Sequence, residues 1–230
     1  ILNGEDVHAD TAQVFMTWNE EKPNKHPDFM GLTLKQARQP AKPFTFMPMY
    51  GGNGKHPAEN EYALFFRDKY NGIATMQKDW CYEVLDSGRL RTPYGFLFHW
   101  PGTRMSAKGY IDNTTNISNY PIQQFATGEI IPIALVYFWQ RSRNIRAVIW
   151  NTIHDSVATR VHKDDVPAYK EISKQSFTKD VYKFLSEVYE YEFSIPLAVG
   201  IKCGDYWGES PYEELWEVSP QDGTEKYVKK

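Results

Sequence analysis

The longest apolar run in the chain is ten residues, Ile130 to Trp139, and Pro132 interrupts it near its start. A membrane-crossing helix needs about 18 to 20 such residues, so the run is too short to span a bilayer. Being apolar nearly all round, it is expected to be a buried helix instead. The spacing predicts helix over 121–140, bent at Pro132, where the ring removes a backbone donor and crowds the carbonyl four residues earlier. The rest of the chain must cover it. With 230 residues, 41% of them hydrophobic and 15% aromatic, there is enough material for one large domain or two joined lobes, and a disordered or collagen-like chain is excluded.

Around that helix the pattern divides. Asp6 to Met16, Pro57 to Tyr70 and Ile73 to Leu85 read as helices, the last running on to Gly88. Arg89 to Trp100 reads as extended or hairpin, and Gly102 to Ser118 as a polar connection. Ile145 to Ile153 and Val157 to Val161 read as two strands about a bend at His154-Asp155-Ser156, followed by an amphipathic helix to about Tyr189 and a strand from Ile195 to Cys203. Helices first and an antiparallel sheet crossed by helices later make an α+β protein, with a boundary between Gly88 and Tyr120. No internal repeat is visible.

Cys81 and Cys203 match no zinc or redox spacing, so free thiols and a reducing compartment are expected. The N-terminus lacks the basic and apolar segments of a secretory signal and starts at Ile1 without Met, which suggests a fragment, a processed product or a trimmed form. Net charge is −3, but Asp205, Glu209, Glu213, Glu214 and Glu217 are concentrated near the end, and without those five the remainder carries +2. Basic residues group as Lys35, Arg38 and Lys42, as Arg89, Arg91, Arg104 and Lys108, and as Arg141, Arg143 and Arg146. Each group is either solvated surface or a footprint for nucleic acid.

Three constellations have the residue types for chemistry. Arg38, Lys42, Phe46 and Tyr50, followed by Gly51, fall four apart, so on a helix they form one stripe, two cations ahead of two aromatics. A polyphosphate on the cations and a sugar or base on the rings would fit it; so would an amphipathic helix with core aromatics and a basic rim. His154-Asp155 lifts a carboxylate to a hairpin tip, where it is exposed enough to ligate a hard metal, although Asp is also a common turn residue. Asn119-Tyr120-Pro121-Ile122-Gln123 sets amides at the start of an apolar helix, for minor-groove contacts or for capping.

In order and spacing these segments resemble the family A DNA polymerases, bacterial DNA polymerase I and its phage relatives. Asp6 to Ala12, with His8, is similar to the family's D-I-H-T-x-T-A segment, and Arg38 to Gly51 to its fingers motif, R-x3-K-x3-F/Y-x3-Y-G. Asn119 to Gln123 resembles N-x-P-x-Q, Ile153 to Val157 the V-H-D-E motif, and Ile195 through Trp207 the closing strand. The resemblance runs from Asp6 to about Glu209.

It implies template-directed DNA synthesis from deoxynucleoside triphosphates, in the cytoplasm, of a bacterial host if the gene is a phage's, with Asp155 a ligand of two Mg²⁺ ions. Arg38 and His8 are then expected on the triphosphate, and Lys42 on it and on the pyrophosphate leaving group. Phe46 is expected against the sugar, and Tyr50 and Gly51 at the templating base. Asn119 and Gln123 are expected at the primer-template minor groove, and His154 at the primer terminus. Residues 1–88 would be fingers helices, 89–120 a connection, 121–209 the C-terminal part of the palm, and 210–230 an acidic then basic tail. The alternative is a catalytically silent subunit that grips primer-template DNA with the same fold.

Three departures qualify the resemblance. Ser156 stands where most relatives have Glu. Pro40, Pro43 and Pro48 fall inside the fingers helix, which is therefore expected to be kinked or broken. The family's D-Y-S-x-x-E motif, whose Asp is the second metal carboxylate, is not found, so an upstream polypeptide carrying it and the thumb is expected as a partner.

Overall fold

The computed structural model describes residues 6–206 and 212–228. They form two compact units, one of Ile1–Arg91 with Leu97–Pro121, the other of Thr92–Phe96 with Ile122–Lys230.

In the first unit α1 (Val7–Glu21) starts at Asp6, whose Oδ1 accepts from the amides of His8 and Ala9 at 3.1 and 3.2 Å. That cap satisfies two of the donors a helix start leaves open. α2 (Leu34–Met49) starts at Thr33, whose amide and hydroxyl both donate to Gln36 Oε1. α3 (Pro57–Lys69) and α4 (Asn71–Ser87) follow, α4 closing on Gly88 at φ +68, the left-handed conformation glycine adopts without strain. Ala12, Phe15, Phe29, Ala37, Ala41, Ala58, Tyr62 and Phe66 make the core. The small residues on facing stripes let α1 and α2 approach closely.

The three prolines lie inside one continuous α2, so of the expected kink or break the break does not occur. Each removes one amide, freeing the carbonyl four residues earlier, but Gln36 and Gln39 are exposed and their carbonyls can bond water. The buried stripe Ala37, Ala41, Thr45 and Pro48 holds the helix by packing. Its end is closed by Gln77 on α4, whose Nε2 donates to the Pro48 and Met49 carbonyls at 3.1 and 2.6 Å.

β1 (Arg89–Arg91) pairs with β2 (Leu97–His99). α5 (Thr114–Gln123) starts within the stretch read as a polar connection, because Asn113 at φ +61 turns the chain and Ile117, fully buried, gives an otherwise polar segment its inner face. In the second unit the helix continues as a π-helical turn over Gln124–Ile130 and then α6 (Ile131–Arg141). The irregularity thus precedes Pro132, which sits in the first turn of α6, where a missing amide costs little.

β3 (Ala147–Ile153) and β4 (Ser156–Val161) form a hairpin that, among the described residues, pairs with no other strand. α7 (Val166–Lys174), a second π-helical turn over Gln175–Lys179 and α8 (Asp180–Tyr189) make up the long amphipathic helix. Ile133, Ala134, Val181 and Leu185 are the centre of this unit's core. Two members of the Arg141, Arg143, Arg146 group form ion pairs within the unit. Arg141 holds the buried Asp180 through two bonds of 2.6 and 2.8 Å, and Arg146 holds Asp165, whose carboxyl this pairing pulls down to about 2.

The segment read as a tail folds instead. β6 (Tyr212–Val218) pairs with β5 (Leu197–Cys203) along its whole length, and β7 (Glu225–Tyr227) pairs with β6. Its alternating side chains explain why. Lys170 on α7 lies 3.6 Å from the Tyr212 ring centre, Lys174 lies 4.2 Å from that of Trp216, and Glu214 and Glu225 pair with the same two lysines. Trp207 and Glu209, read into the closing element, lie outside the described residues.

Candidate active site

The expected site residues are divided between the units. His8, Arg38, Lys42, Phe46, Tyr50, Gly51 and Asn119 belong to the first, and Gln123, His154 and Asp155 to the second.

In the first unit α2 turns its Arg38-Lys42-Phe46-Tyr50 stripe about 100° away from the buried Ala37-Ala41-Thr45 stripe, as one residue's offset requires. α1 lies alongside and delivers His8. The His8 and Phe46 rings meet edge to face at 5.4 Å, and the Phe46 and Tyr50 rings stack at 6.1 Å with 15° between their planes. At the other end Asp6 Oδ2 accepts from Arg38 Nε at 2.6 Å, so one carboxylate caps α1 and steadies the first cation of the stripe. The bond to Arg38 is the main cause holding the Asp6 carboxyl below its usual range.

Below this face runs a polar chain that sequence reading did not find. His8 Nδ1 lies 3.1 Å from Thr45 Oγ1, Thr45 donates to Thr11 Oγ1 at 2.8 Å, and Thr11 lies 2.9 Å from the Tyr62 hydroxyl. Three helices thereby fix one imidazole. Its only sequence trace is Thr11 and Thr45 standing where apolar core residues would be usual. Burial first, and the Arg38 charge second, push the His8 imidazole below its ordinary value, so near neutrality it is uncharged while no anion is present. Phe46 remains 39% exposed beside the cations. The face offers positive charge at one end and flat apolar surface at the other, a match for a nucleotide's anionic chain and its ring.

Gly51 ends the stripe at φ +74. A side chain there would be strained and would crowd the Ser118 hydroxyl at 3.3 Å. The following loop is held by Arg67, which donates to the Gly52 carbonyl and to Asn53 Oδ1. Ser118 Oγ and Asn119 Oδ1 on α5 are both buried without a hydrogen-bond partner among the described residues, which is costly unless something supplies one.

In the second unit Gln123 is exposed on α5, whereas its neighbour Gln124 is structural. Gln124 accepts from Tyr94 at 2.8 Å and donates to Glu129, which also accepts from Tyr189. Burial of Tyr94 and the Glu129 carboxylate beside Tyr189 push both phenols up to about 12. His154 and Asp155 form the two-residue tip of the β3–β4 hairpin, His154 at φ +53, both exposed. Ser156 Oγ donates back to the Ile153 carbonyl at 2.9 Å, bracing the turn.

Asp155 presents a carboxylate, a hard anionic group, at the two-residue hairpin tip. Among the described residues, however, no group of three or more His, Cys, Asp or Glu is gathered to hold a metal. A divalent ion of the Mg²⁺ type needs more oxygen ligands than this turn supplies. The residues described here therefore do not by themselves fit a two-metal centre.

A model of DNA polymerase family A matches residues 1–209. Among solved structures the chain is similar to the POL domain of Pol1 from M. smegmatis, solved in complex with DNA primer-template and dNTP. The identity is 16% and the TM-score 0.54, over 76% of this chain and 35% of that one. The chain thus spans about a third of that structure's length. No curated protein sequence matches it. No helix among the described residues is long and apolar enough to cross a membrane.

Proposed function

The chain belongs to DNA polymerase family A, and from that premise we propose that it is the fingers and C-terminal palm portion of a template-directed DNA polymerase. It extends a primer 3′-hydroxyl with deoxynucleoside triphosphates in the cytoplasm, that of a bacterial host if the gene is a phage's. The observation that carries this reading is the meeting of His8 with the α2 stripe. Two segments about 40 residues apart, each similar to a family motif, converge on one face, with the His8 and Phe46 rings 5.4 Å apart.

In this reading Arg38 and His8 bind the triphosphate. Lys42 neutralises it and gives a proton to the departing pyrophosphate. Phe46 packs on the sugar, while Tyr50 and Gly51 border the templating base. The amides of Asn119 and Gln123 meet groove-edge acceptors that every base pair presents, giving a grip independent of sequence, and His154 approaches the primer terminus.

Asp155 would offer one carboxylate to a Mg²⁺ ion, whose remaining ligands would come from an upstream polypeptide. The single carboxylate also suits a silent primer-template-binding subunit, and incorporation separates the two.

The test combines residues 1–230 with the polypeptide encoded directly upstream of Ile1, a primed template and one dNTP at a time. Incorporation only of the nucleotide complementary to the next template base is the expected result. Folded, DNA-binding protein that incorporates none under any condition would favour the silent subunit.

A further inference from the structure

The hydroxyls beneath His8 have their hydrogens committed. Thr11 Oγ1 donates to the Val7 carbonyl at 2.7 Å, one turn back on α1, and so faces Thr45 and Tyr62 with its lone pairs. Thr45 donates to it at 2.8 Å, and the Tyr62 hydroxyl, 2.9 Å away, supplies the second donor. Burial pushes the Tyr62 phenol up, which keeps that hydrogen in place. Thr11, Thr45 and Tyr62 are each at most 5% exposed, so bulk water does not compete for these bonds.

What remains for His8 is a lone pair of Thr45, 3.1 Å from Nδ1. Nε2, on the other side of the ring, has no hydrogen-bond partner among the described residues. The ring is half-buried, and the charges of Arg38 and Lys42 on α2 oppose its protonation, while Asp6 ahead of α1 favours it. From α3 the group nearest this chain is the Tyr62 phenol, which is neutral. An arriving polyanion changes the balance. Arg38 and Lys42 pair with it, and its own charge favours a second hydrogen on the imidazole.

We infer that Thr45 is a positioning residue that, backed by Thr11 and Tyr62, holds His8 with its hydrogen on Nδ1, so that a triphosphate bound on the α2 stripe takes up a proton at Nε2. This role rests on the proposed function, which puts a triphosphate on the stripe. The proton comes from solvent and stays on the ring, where the new N–H donates to a phosphate oxygen. Without the Thr45 hydroxyl the neutral ring is free to carry its hydrogen on Nε2, and it then donates to the phosphate with no proton taken up. Binding by the wild type therefore weakens toward alkaline pH for a reason built into the two helices rather than into the nucleotide.

The test titrates residues 1–230 with dATP in metal-free buffer, by calorimetry in two buffers of different ionisation enthalpy, which counts the protons taken up on binding. At pH 7.5 the wild type should take up at least about half a proton more than Thr45→Val, a substitution that keeps the side chain's shape. Between pH 6.5 and 8.5 its affinity should fall at least about fivefold relative to that variant. Thr45→Ser should restore the wild-type proton count, and nitrogen NMR of His8 in the free protein should show the hydrogen on Nδ1. A packing role alone would lower the stability of Thr45→Val and leave the count unchanged. Equal uptake by dATP-bound wild type and Thr45→Val, or the hydrogen on Nε2 in the free wild type, would overturn the inference and leave the proposed function standing. Well-folded wild type that binds no dATP would overturn the triphosphate reading of this face, and the role of Thr45 with it.

Discussion

The imidazole Nδ1 of His8 lies 3.1 Å from the hydroxyl of Thr45, joining α1 to α2 directly beneath the point where the stripe passes from cations to aromatics. Thr45 has one hydroxyl hydrogen, directed to Thr11 or to the Ala41 carbonyl, so toward His8 it accepts. With Thr45 accepting in this way Nδ1 carries the hydrogen, and Nε2 then donates to a phosphate only when the ring is protonated. Burial and the nearby Arg38 oppose that protonation until an anion arrives.

A pH dependence of known sign follows. Burial and the nearby Arg38 charge hold the His8 imidazole below its ordinary value in the folded chain, so on acidification the unfolded chain takes up its proton first. Stability from this group is fully present above about pH 6.5 and declines as pH falls through the folded value. Urea unfolding at pH 7.5 and 5.5 should show a larger acid loss in the wild type than in His8→Asn. Equal losses would mean that His8 is not held in its neutral form.

Pro43→Ala should stabilise the protein. Pro43 is exposed in the middle of a continuous helix, and alanine restores an amide aimed at the Gln39 carbonyl. Helix propensity favours alanine by up to about 3 kcal/mol, and the greater freedom of the unfolded chain returns about 1 kcal/mol or less. Thermal unfolding should shift upward. A lower Tm would show that α2 depends on the proline at that position.

The proline case marks where sequence reading stopped short. Helix interruption was expected at Pro40, Pro43 and Pro48 because propensity is local, whereas the burial of Ala37, Ala41 and Thr45 against α1 is tertiary and outweighs it. The stripe itself, and the hairpin tip at His154-Asp155, were legible because fixed spacings of four and two translate directly into shared faces and turns. The His8-Thr45-Thr11-Tyr62 chain was not legible, since hydroxyls scattered over 50 residues carry no period. Strands β6 and β7 were hidden for a similar reason. Their acidic residues read as a solvated tail until Lys170, Lys174 and Lys179 on a distant helical segment supply partners.

Phe46→Tyr should raise incorporation of dideoxynucleotides greatly and leave normal synthesis nearly unchanged. The Phe46 ring is partly open and borders His8 and Tyr50, so a hydroxyl added at its end can take the place of the missing sugar 3′-hydroxyl interaction. Competition between dideoxy and normal nucleotides measures the ratio. An unchanged ratio would remove Phe46 from the sugar site.

Residues 1–230 alone should show no Mg²⁺-dependent primer extension, since among the described residues no group of three or more His, Cys, Asp or Glu gathers to hold a metal. Adding the polypeptide encoded directly upstream of Ile1 should restore it. Robust synthesis by the purified chain would show that a second carboxylate comes from within it.

The most direct measurement is single-turnover primer extension by that reconstituted polymerase with Asp155→Asn in this chain. A hairpin tip buries little, so the variant should fold and bind primer-template as the wild type does, while losing a hard anionic ligand. The account predicts a rate below about a tenth of wild type, a barrier raised by more than about 1.4 kcal/mol, with Ser156→Ala costing much less. A variant that retains more than about a tenth of the rate would contradict the assignment of Asp155 as a metal ligand.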